Sequence, residues 1–505
     1  MKCHSINNQE FSLKDIYRIL HSSFPLCLGE KAREAIVKSY NFLHSRLSDA
    51  RKPVYGINTG FGSLHRMRIA PEQMQLLQEN LVKSHACGTG KELPPDTVKL
   101  MLLLKIITLA KGYSGVQLKT VERLADFYNH DIIPVVYENG SLGASGDLAP
   151  LAHLSLPLIG EGEVYYKGKK IPAREVLSQM GWEPIRLQAK EGLALLNGTQ
   201  FMTAVGVKNL WEAKKLDLWS DLIAAASLEA YDGRIEPFSE IIQKIRPHRG
   251  QAETARRVRY ILEESEIIFS EKEHVQDPYS FRCVPQVHGS AKHVLESVKE
   301  TFRVEINSVT DNPIIDVENE EILSGGNFHG EPLAIASDML AVAMSELSNI
   351  SERRTYRLIS GKRGLPPYLI ENPGLNSGLM IPQYMAASLV NRNKQLSYPN
   401  SVDSIESSNG QEDHVSMGAN SVLKTAKIIE NTKTVLAVEL LTANQALYFR
   451  DRKNAPRIQK FLKPFREEIP YIQEDTTLYD KINRIVEIYE NLPVEFFQNL
   501  TGSLP

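Results

Sequence analysis

Cysteine is scarce. The 505 residues hold four, Cys3, Cys27, Cys87 and Cys283. None share a C-x-x-C spacing, and four are too few to staple a chain of this length, so they are expected to stay reduced in a cytoplasmic protein. Long apolar runs are missing too. The most apolar stretch, 101–110, is broken by Lys105 and falls well short of the roughly 20 residues that span a bilayer. No membrane association is expected. The opening MKCHSINNQEFSL is polar, and no secretory leader is expected. Charge of one sign is not in excess: 58 Lys and Arg against 61 Asp and Glu leave −3, which argues against a nucleic-acid partner. There is no G-x-G-x-x-G, no H-E-x-x-H and no Walker loop. Gly88-Thr89-Gly90-Lys91 lacks both the first glycine and the Ser/Thr after the lysine. The 13 histidines show no metal-ligand spacing. A metal or nucleotide requirement is therefore not indicated.

What is present is helical periodicity. Apolar residues recur three and four apart over 12–22, with Ser12 placed to cap, and over 31–48, 71–86, 96–112 and 117–129. Pro71 and Pro95 suit first helical turns. Segments 200–231, 331–360 and 414–450 run without proline beyond a first turn for lengths that span about 45 Å each, and helices of that length pack side by side as a bundle. One hairpin is expected over 163–171, turning at Lys167-Gly168. The fold class is all-α, a long central helix bundle with one small β-hairpin. The N-terminal helical region, 1–200, bears the active-site loops. The bundle core and C-terminal helices occupy 201–505, the whole forming one continuous structural unit. Gly-rich loops at 56–63, 138–146, 324–330 and 407–411 are where chemistry is sought.

The loop at 138–154 reads ENGSLGASGDLAPLAHL. It resembles the signature of the histidine, phenylalanine and tyrosine ammonia-lyase family. Further segments match that family in order: Tyr55 to Gly62 (YGINTGFG), Gly192 to Thr199 (GLALLNGT), Tyr279 to Gln286 (YSFRCVPQ), Asp311-Asn312-Pro313 and Gly325 to Gly330 (GGNFHG). The resemblance implies a self-made cofactor, a 4-methylidene-imidazol-5-one cyclised from Ala144, Ser145 and Gly146. The residue types suit that: glycine permits close backbone approach, and serine supplies the carbon that becomes the methylene. Ordinary side chains lack a good electrophile, and such a group supplies one. It implies elimination of ammonia from an α-amino acid, with the substrate's amine or its ring adding to the cofactor as two open alternatives.

Besides Ser401 to Ile405 (SVDSI), which also looks like the histidine branch, two segments point to that branch, which converts L-histidine to urocanate and ammonia. Ser84-His85 is one. Gln411-Glu412-Asp413-His414-Val415-Ser416-Met417 is the other, since the phenylalanine and tyrosine enzymes carry glutamine where Glu412 stands. A carboxylate accepts from both the neutral and the cationic imidazole, whereas a phenyl ring offers nothing to offset its burial. A tyrosine or phenylalanine ammonia-lyase or an aminomutase is the alternative. Val284, Glu406 and Gly410 depart from the commoner forms of their segments.

The resemblance assigns roles residue by residue. Arg282 binds the substrate carboxylate through its planar guanidinium. Tyr55 is the preferred base for the β-proton and Glu412 its rival; a phenol with pKa about 10 needs donors or positive charge nearby for that task. His85 faces the substrate ring. Asn197 and Tyr279 bond the cofactor or the carboxylate, Gln276 supports the same pocket, and Phe328 packs on the cofactor ring. Asp147 assists cyclisation or caps the helix that follows. The assembly implied is a homotetramer with each site built from three chains.

Overall fold

The structure, a computed structural model, describes residues 3–48 and 54–503. Helices dominate, as the periodicity requires. Leu13–Leu20 starts with a capping box in which Ser12 Oγ accepts from the Asp15 amide at 3.1 Å and the Asp15 carboxylate accepts from the Ser12 amide at 3.0 Å. Glu30–Ser48, Met74–His85, Pro95–Ala110 and Leu118–Asn129 follow. The three long segments form Gln200–Ala230, Glu331–Leu358, with Pro332 in its first turn, and Gly418–Leu447. Further helices not singled out from the sequence include Arg249–Ile261, Val284–Glu305 and Met380–Leu396.

The hairpin forms as expected, Glu163–Tyr166 against Lys169–Pro172, with Lys167 and Gly168 at positive φ in the turn. The expectation of a single hairpin needs correcting. Three further small sheets occur among the described residues: His4–Ile6 parallel to Leu26–Leu28, Thr89–Glu92 with Tyr137–Asn139, and Ile314–Asp316 with Glu321–Leu323; Ile133–Pro134 also joins the hairpin. Strands of two to four residues are too short for a two-residue alternation to register in the sequence. The reduced state expected of all four cysteines is also corrected. Cys3 and Cys27 are disulfide-bonded, brought together by the parallel pairing of the strands they adjoin; Cys87 and Cys283 are free.

The chain divides into two compact units, one of 1–208, 299–338 and 399–423, the other of 209–298, 339–398 and 424–505. The division drawn from the sequence at 200/201 follows chain order; the compact units do not. In the first unit, Pro95–Ala110 is apolar all round and buried, with residues 100–107 at most 2% exposed, Lys105 among them. In the second, charges are buried together. Arg354 meets Glu439 through two nitrogens at 2.5 and 2.8 Å. Asp217 and Asp221 each pair with both Arg257 and Lys292 at 2.8–3.0 Å, and His288 Nδ1 lies 2.8 Å from Asp221.

By length and composition, Glu331–Leu358 is long and apolar enough to cross a bilayer, but 67% of its most apolar stretch is buried inside the chain. Asp338, Glu346 and Glu352 interrupt its apolar residues, which is why no uninterrupted run revealed it. Its outward side shows Ile335, Met339 and Val342, spaced four and three apart and 48, 41 and 48% exposed.

Candidate active site

The Ala-Ser-Gly loop folds back on itself, Gly143 bridging to Gly146. Ser145 sits at φ +53° and Gly146 at +80°, backbone that a residue with a Cβ rarely adopts. A Cβ on Gly146 would stand 2.2 Å from the Gly198 carbonyl oxygen, so only glycine fits there. Two segments distant in sequence hold the loop. The Asn197 side-chain amide donates to the Ser145 carbonyl at 3.0 Å. The Asp147 amide donates to the Gly198 carbonyl at 2.8 Å. The Met417 amide donates to the Leu142 carbonyl at 3.0 Å, where Ala144, Val415 and Met417 pack as a small apolar cluster.

Glu412 reaches this loop. Ser145 Oγ donates to its Oε1 at 3.2 Å, and Ser407 Oγ donates to its Oε2 at 3.1 Å. Tyr55 belongs to the loop whose Ser63 amide donates to Ser408 Oγ at 3.1 Å. The Tyr55 hydroxyl oxygen accepts from the Gly62 amide at 3.3 Å. Gly62 is at φ +53°, and a Cβ there would lie 2.3 Å from Ser408 Oγ, so its bareness lets the tyrosine loop close on the 407–412 turn. Burial raises the Tyr55 phenol above its usual 10; the Gly62 amide pulls it down, and Glu412 pushes it up again. His85, with Ser84 Oγ 3.1 Å from its Nδ1, is held below 6.5 by burial, against upward pulls from the Leu81 backbone and Glu412.

Asp147 is fully buried. It flanks Leu148–Ser155, but its side chain makes no cap bond there. Instead Oδ2 accepts from the Met202 amide at 2.9 Å, in the first turn of Gln200–Ala230, and Ser141 Oγ donates to Oδ1 at 3.3 Å. Burial lifts its carboxyl to about 7, despite those bonds and the nearby ammonium of Lys105. Phe328 is half-buried in the turn at 327–328.

The remaining candidates form a group of their own in the second unit. The Arg282 guanidinium lies over the Tyr279 ring, 4.4 Å from its centre, and Tyr279 is 70% exposed. With its amide turned to satisfy both partners, the Gln276 oxygen accepts from both terminal nitrogens of Arg282. The Gln276 main-chain carbonyl accepts from Arg363 at 3.1 Å. The structure thus gathers Tyr55, His85, Ala144, Ser145, Gly146, Asp147, Asn197 and Glu412 in one unit, and Gln276, Tyr279 and Arg282 in the other.

The aromatic amino acid lyase family matches residues 11–467. The chain belongs to that family. The histidine ammonia-lyase of Caldanaerobacter subterraneus subsp. tengcongensis is 45% identical over 498 residues, 98% of each chain. Among solved structures, histidine ammonia-lyase from Trypanosoma cruzi is similar at a TM-score of 0.89 and 36% identity, over 99% of this chain and 95% of that one. Tyrosine aminomutase from Streptomyces globisporus reaches 0.92 at 31% identity, over 98% of each. A shared fold therefore spans different substrates and reaction outcomes, and the choice between them lies in side chains.

The residues present fit the cofactor that the family implies. The loop already doubles back, the Ser145 carbonyl has a donor, the Ser145 hydroxyl has a carboxylate acceptor, and Gly146 is pressed against a carbonyl that excludes any side chain. Sequence reasoning passed over Lys105, which reads only as an interruption of an apolar run. A charge centred in a helix that is apolar all round was the signal available.

Proposed function

We propose that the protein is a histidine ammonia-lyase, a carbon–nitrogen lyase that removes ammonia from L-histidine to give urocanate. The observation that carries the reading is the Glu412 carboxylate, 3.2 Å from Ser145 Oγ, with Tyr55 and His85 close enough to feel its charge. An acceptor there suits the N–H groups of an imidazole, and would stand unsatisfied beside a phenyl ring. The 45% identity with a histidine ammonia-lyase over nearly the full length supports the same choice.

A methylidene-imidazolone made from Ala144, Ser145 and Gly146 supplies the electrophilic carbon that makes the substrate's amino group a leaving group. Arg282 binds the substrate carboxylate, its guanidinium lying over the Tyr279 ring and donating to Gln276. Asn197 fixes the main chain of the loop, and Phe328 covers it. Tyr55 takes the β-proton. Because burial and Glu412 raise its phenol, that role relies on cations brought to it, the substrate ammonium and Arg282. Glu412 and His85 orient the imidazole.

The working form is a cytoplasmic homotetramer in which Gln276, Tyr279 and Arg282 serve a site on a neighbouring chain. The exposed row Ile335, Met339 and Val342 supports assembly, since apolar rows on helices are what subunits cover. The test offers histidine, tyrosine and phenylalanine in turn and follows the near-ultraviolet absorbance of each unsaturated acid. Histidine is expected to turn over fastest; faster turnover of tyrosine or phenylalanine replaces the substrate assignment.

A further inference from the structure

Lys105 lies at the middle of Pro95–Ala110 and is 1% exposed. Among the described residues it has no ion-pair partner. Its ammonium donates to the main-chain carbonyls of Asn197 at 2.9 Å and Ala194 at 3.2 Å. The neighbouring buried lysine behaves differently: Lys190 meets Asp311 at 2.6 Å. A buried ammonium without a carboxylate on it is costly, and its placement calls for a reason.

The two carbonyls end helix Glu191–Leu196, whose C-cap is Asn197. A cation there complements a helix C-terminus. That alone would make Lys105 a cap. The contacts of Asn197 and Gly198 give it a second task. The side chain of Asn197 donates to the Ser145 carbonyl, and the carbonyl of Gly198 receives the Asp147 amide and presses on Gly146. The 197–198 peptide is therefore the wall against which the Ala-Ser-Gly loop is bent, and Lys105 holds that wall by its carbonyl. Its charge also reaches Asp147, the fully buried carboxyl that flanks the loop.

We propose that Lys105 is a positioning residue for cyclisation of Ala144–Ser145–Gly146, acting through the Asn197–Gly198 peptide. The inference rests on the proposed cofactor. In that cyclisation the Gly146 nitrogen bonds to the Ala144 carbonyl carbon. The carbonyl oxygen leaves as water with the amide hydrogens of Gly146 and Ser145, and Ser145 loses its hydroxyl with its α-hydrogen as a second water. No oxidant or reductant is needed. Lys105 touches none of these atoms. It fixes the distance across which the first bond forms, where displacements on the order of 1 Å cost about a hundredfold in rate. Nearby groups share the task of balancing its charge: Asp311 and Asp147 favour the ammonium, Lys190 opposes it, and burial lowers its pKa to about 7.

The test uses the full-length chain and reads intact mass against time after synthesis, with circular dichroism to confirm folding. The wild type is expected to become lighter by two waters. Lys105→Met should fold yet mature at least tenfold more slowly, and Lys105→Arg, which keeps the charge, should recover most of the rate. Placed on an Asn197→Ala background, Lys105→Met should add less than twofold, because both act on one wall. If Lys105→Met does not fold, Lys105→Gln decides, since it keeps one donor and loses the charge: slow maturation supports the proposal. Maturation of the folded Met or Gln variant at the wild-type rate overturns it, and so does a full, independent delay in the double variant. A wild type that never loses two waters overturns the cofactor reading itself, whatever the variants do.

Discussion

The second unit buries Arg354 against Glu439, and Asp217 and Asp221 against Arg257 and Lys292, each charge met by an opposite charge at hydrogen-bond distance. The first unit buries Lys105 against carbonyls only, and Asp147 against backbone amides and a serine. The consequences for protonation are opposite. Burial pulls Asp221 up, but Lys292, His288 and Arg257 more than offset it and hold the carboxyl well below 3.8. Beside the Ala-Ser-Gly loop of the first unit burial prevails: Lys105 falls to about 7 and Asp147 rises to about 7. Groups poised near neutrality can exchange protons, and groups driven far from it cannot. Those saturated charges serve structure; Lys105 and Asp147, less compensated, lie beside the Ala-Ser-Gly loop.

Substitutions sharpen the contrast. The largest effect is expected from Ser145→Ala, which removes the carbon–oxygen bond that cyclisation breaks. Turnover should fall by on the order of 10⁴ or more, with Tm unmoved beyond about 2 °C. Steady-state assay and calorimetry together check it, and near-wild-type turnover would refute it. Next comes Glu412→Gln, for which kcat/KM on histidine should drop by roughly a hundredfold. The histidine-to-tyrosine preference should shrink further when His85→Leu is added; an unchanged preference in the double variant would move specificity to the 401–410 loop.

Arg354→Met should do the reverse of these. Leaving Glu439 buried and alone should cost about 3–5 kcal/mol in denaturant unfolding, with kcat per folded molecule unchanged within about twofold. A lost kcat in fully folded protein would break the division between structural and chemical charges. The smallest effect concerns pH. Burial chiefly holds the His288 imidazole below 6.5, although Asp221 pulls it up. Its folded pKa is depressed, so its contribution is complete above 6.5 and is lost as pH falls through the folded value. Between pH 7 and 5 the wild-type Tm should fall more steeply than that of His288→Gln; parallel curves would clear His288 of the acid sensitivity.

The long helices were legible because spacing of apolar residues and absence of proline act over many residues, where local accidents average out. The loop at 143–146 was legible because its glycines and serine carry chemistry in their identity. Lys105 was not. Within its helix it shows only as a polar break, and its partners lie 89 and 92 residues away. The Cys3–Cys27 bond escaped for a similar reason, as two strands of three residues give no periodicity to read. Asp147 was legible as a candidate, but not which helix it serves: its carboxylate binds Gln200–Ala230, across 55 residues, and leaves its own helix uncapped. Gln276, Tyr279 and Arg282 were legible as a motif, though nothing local placed them in a different unit from the loop.

Ser145 Oγ rests on a carboxylate 267 positions later in the chain. A ribosome making this protein finishes the tripeptide long before it reaches Glu412, and the bend at 143–146 also leans on Asn197, Gly198 and Met417. On the proposed chemistry, a nascent or truncated chain carries an inert serine, and a reactive carbon arises only after the distant segments have been delivered and seated. The gain in electrophilicity then serves as a timestamp of completed folding. The hazardous group would then exist only inside a finished enzyme.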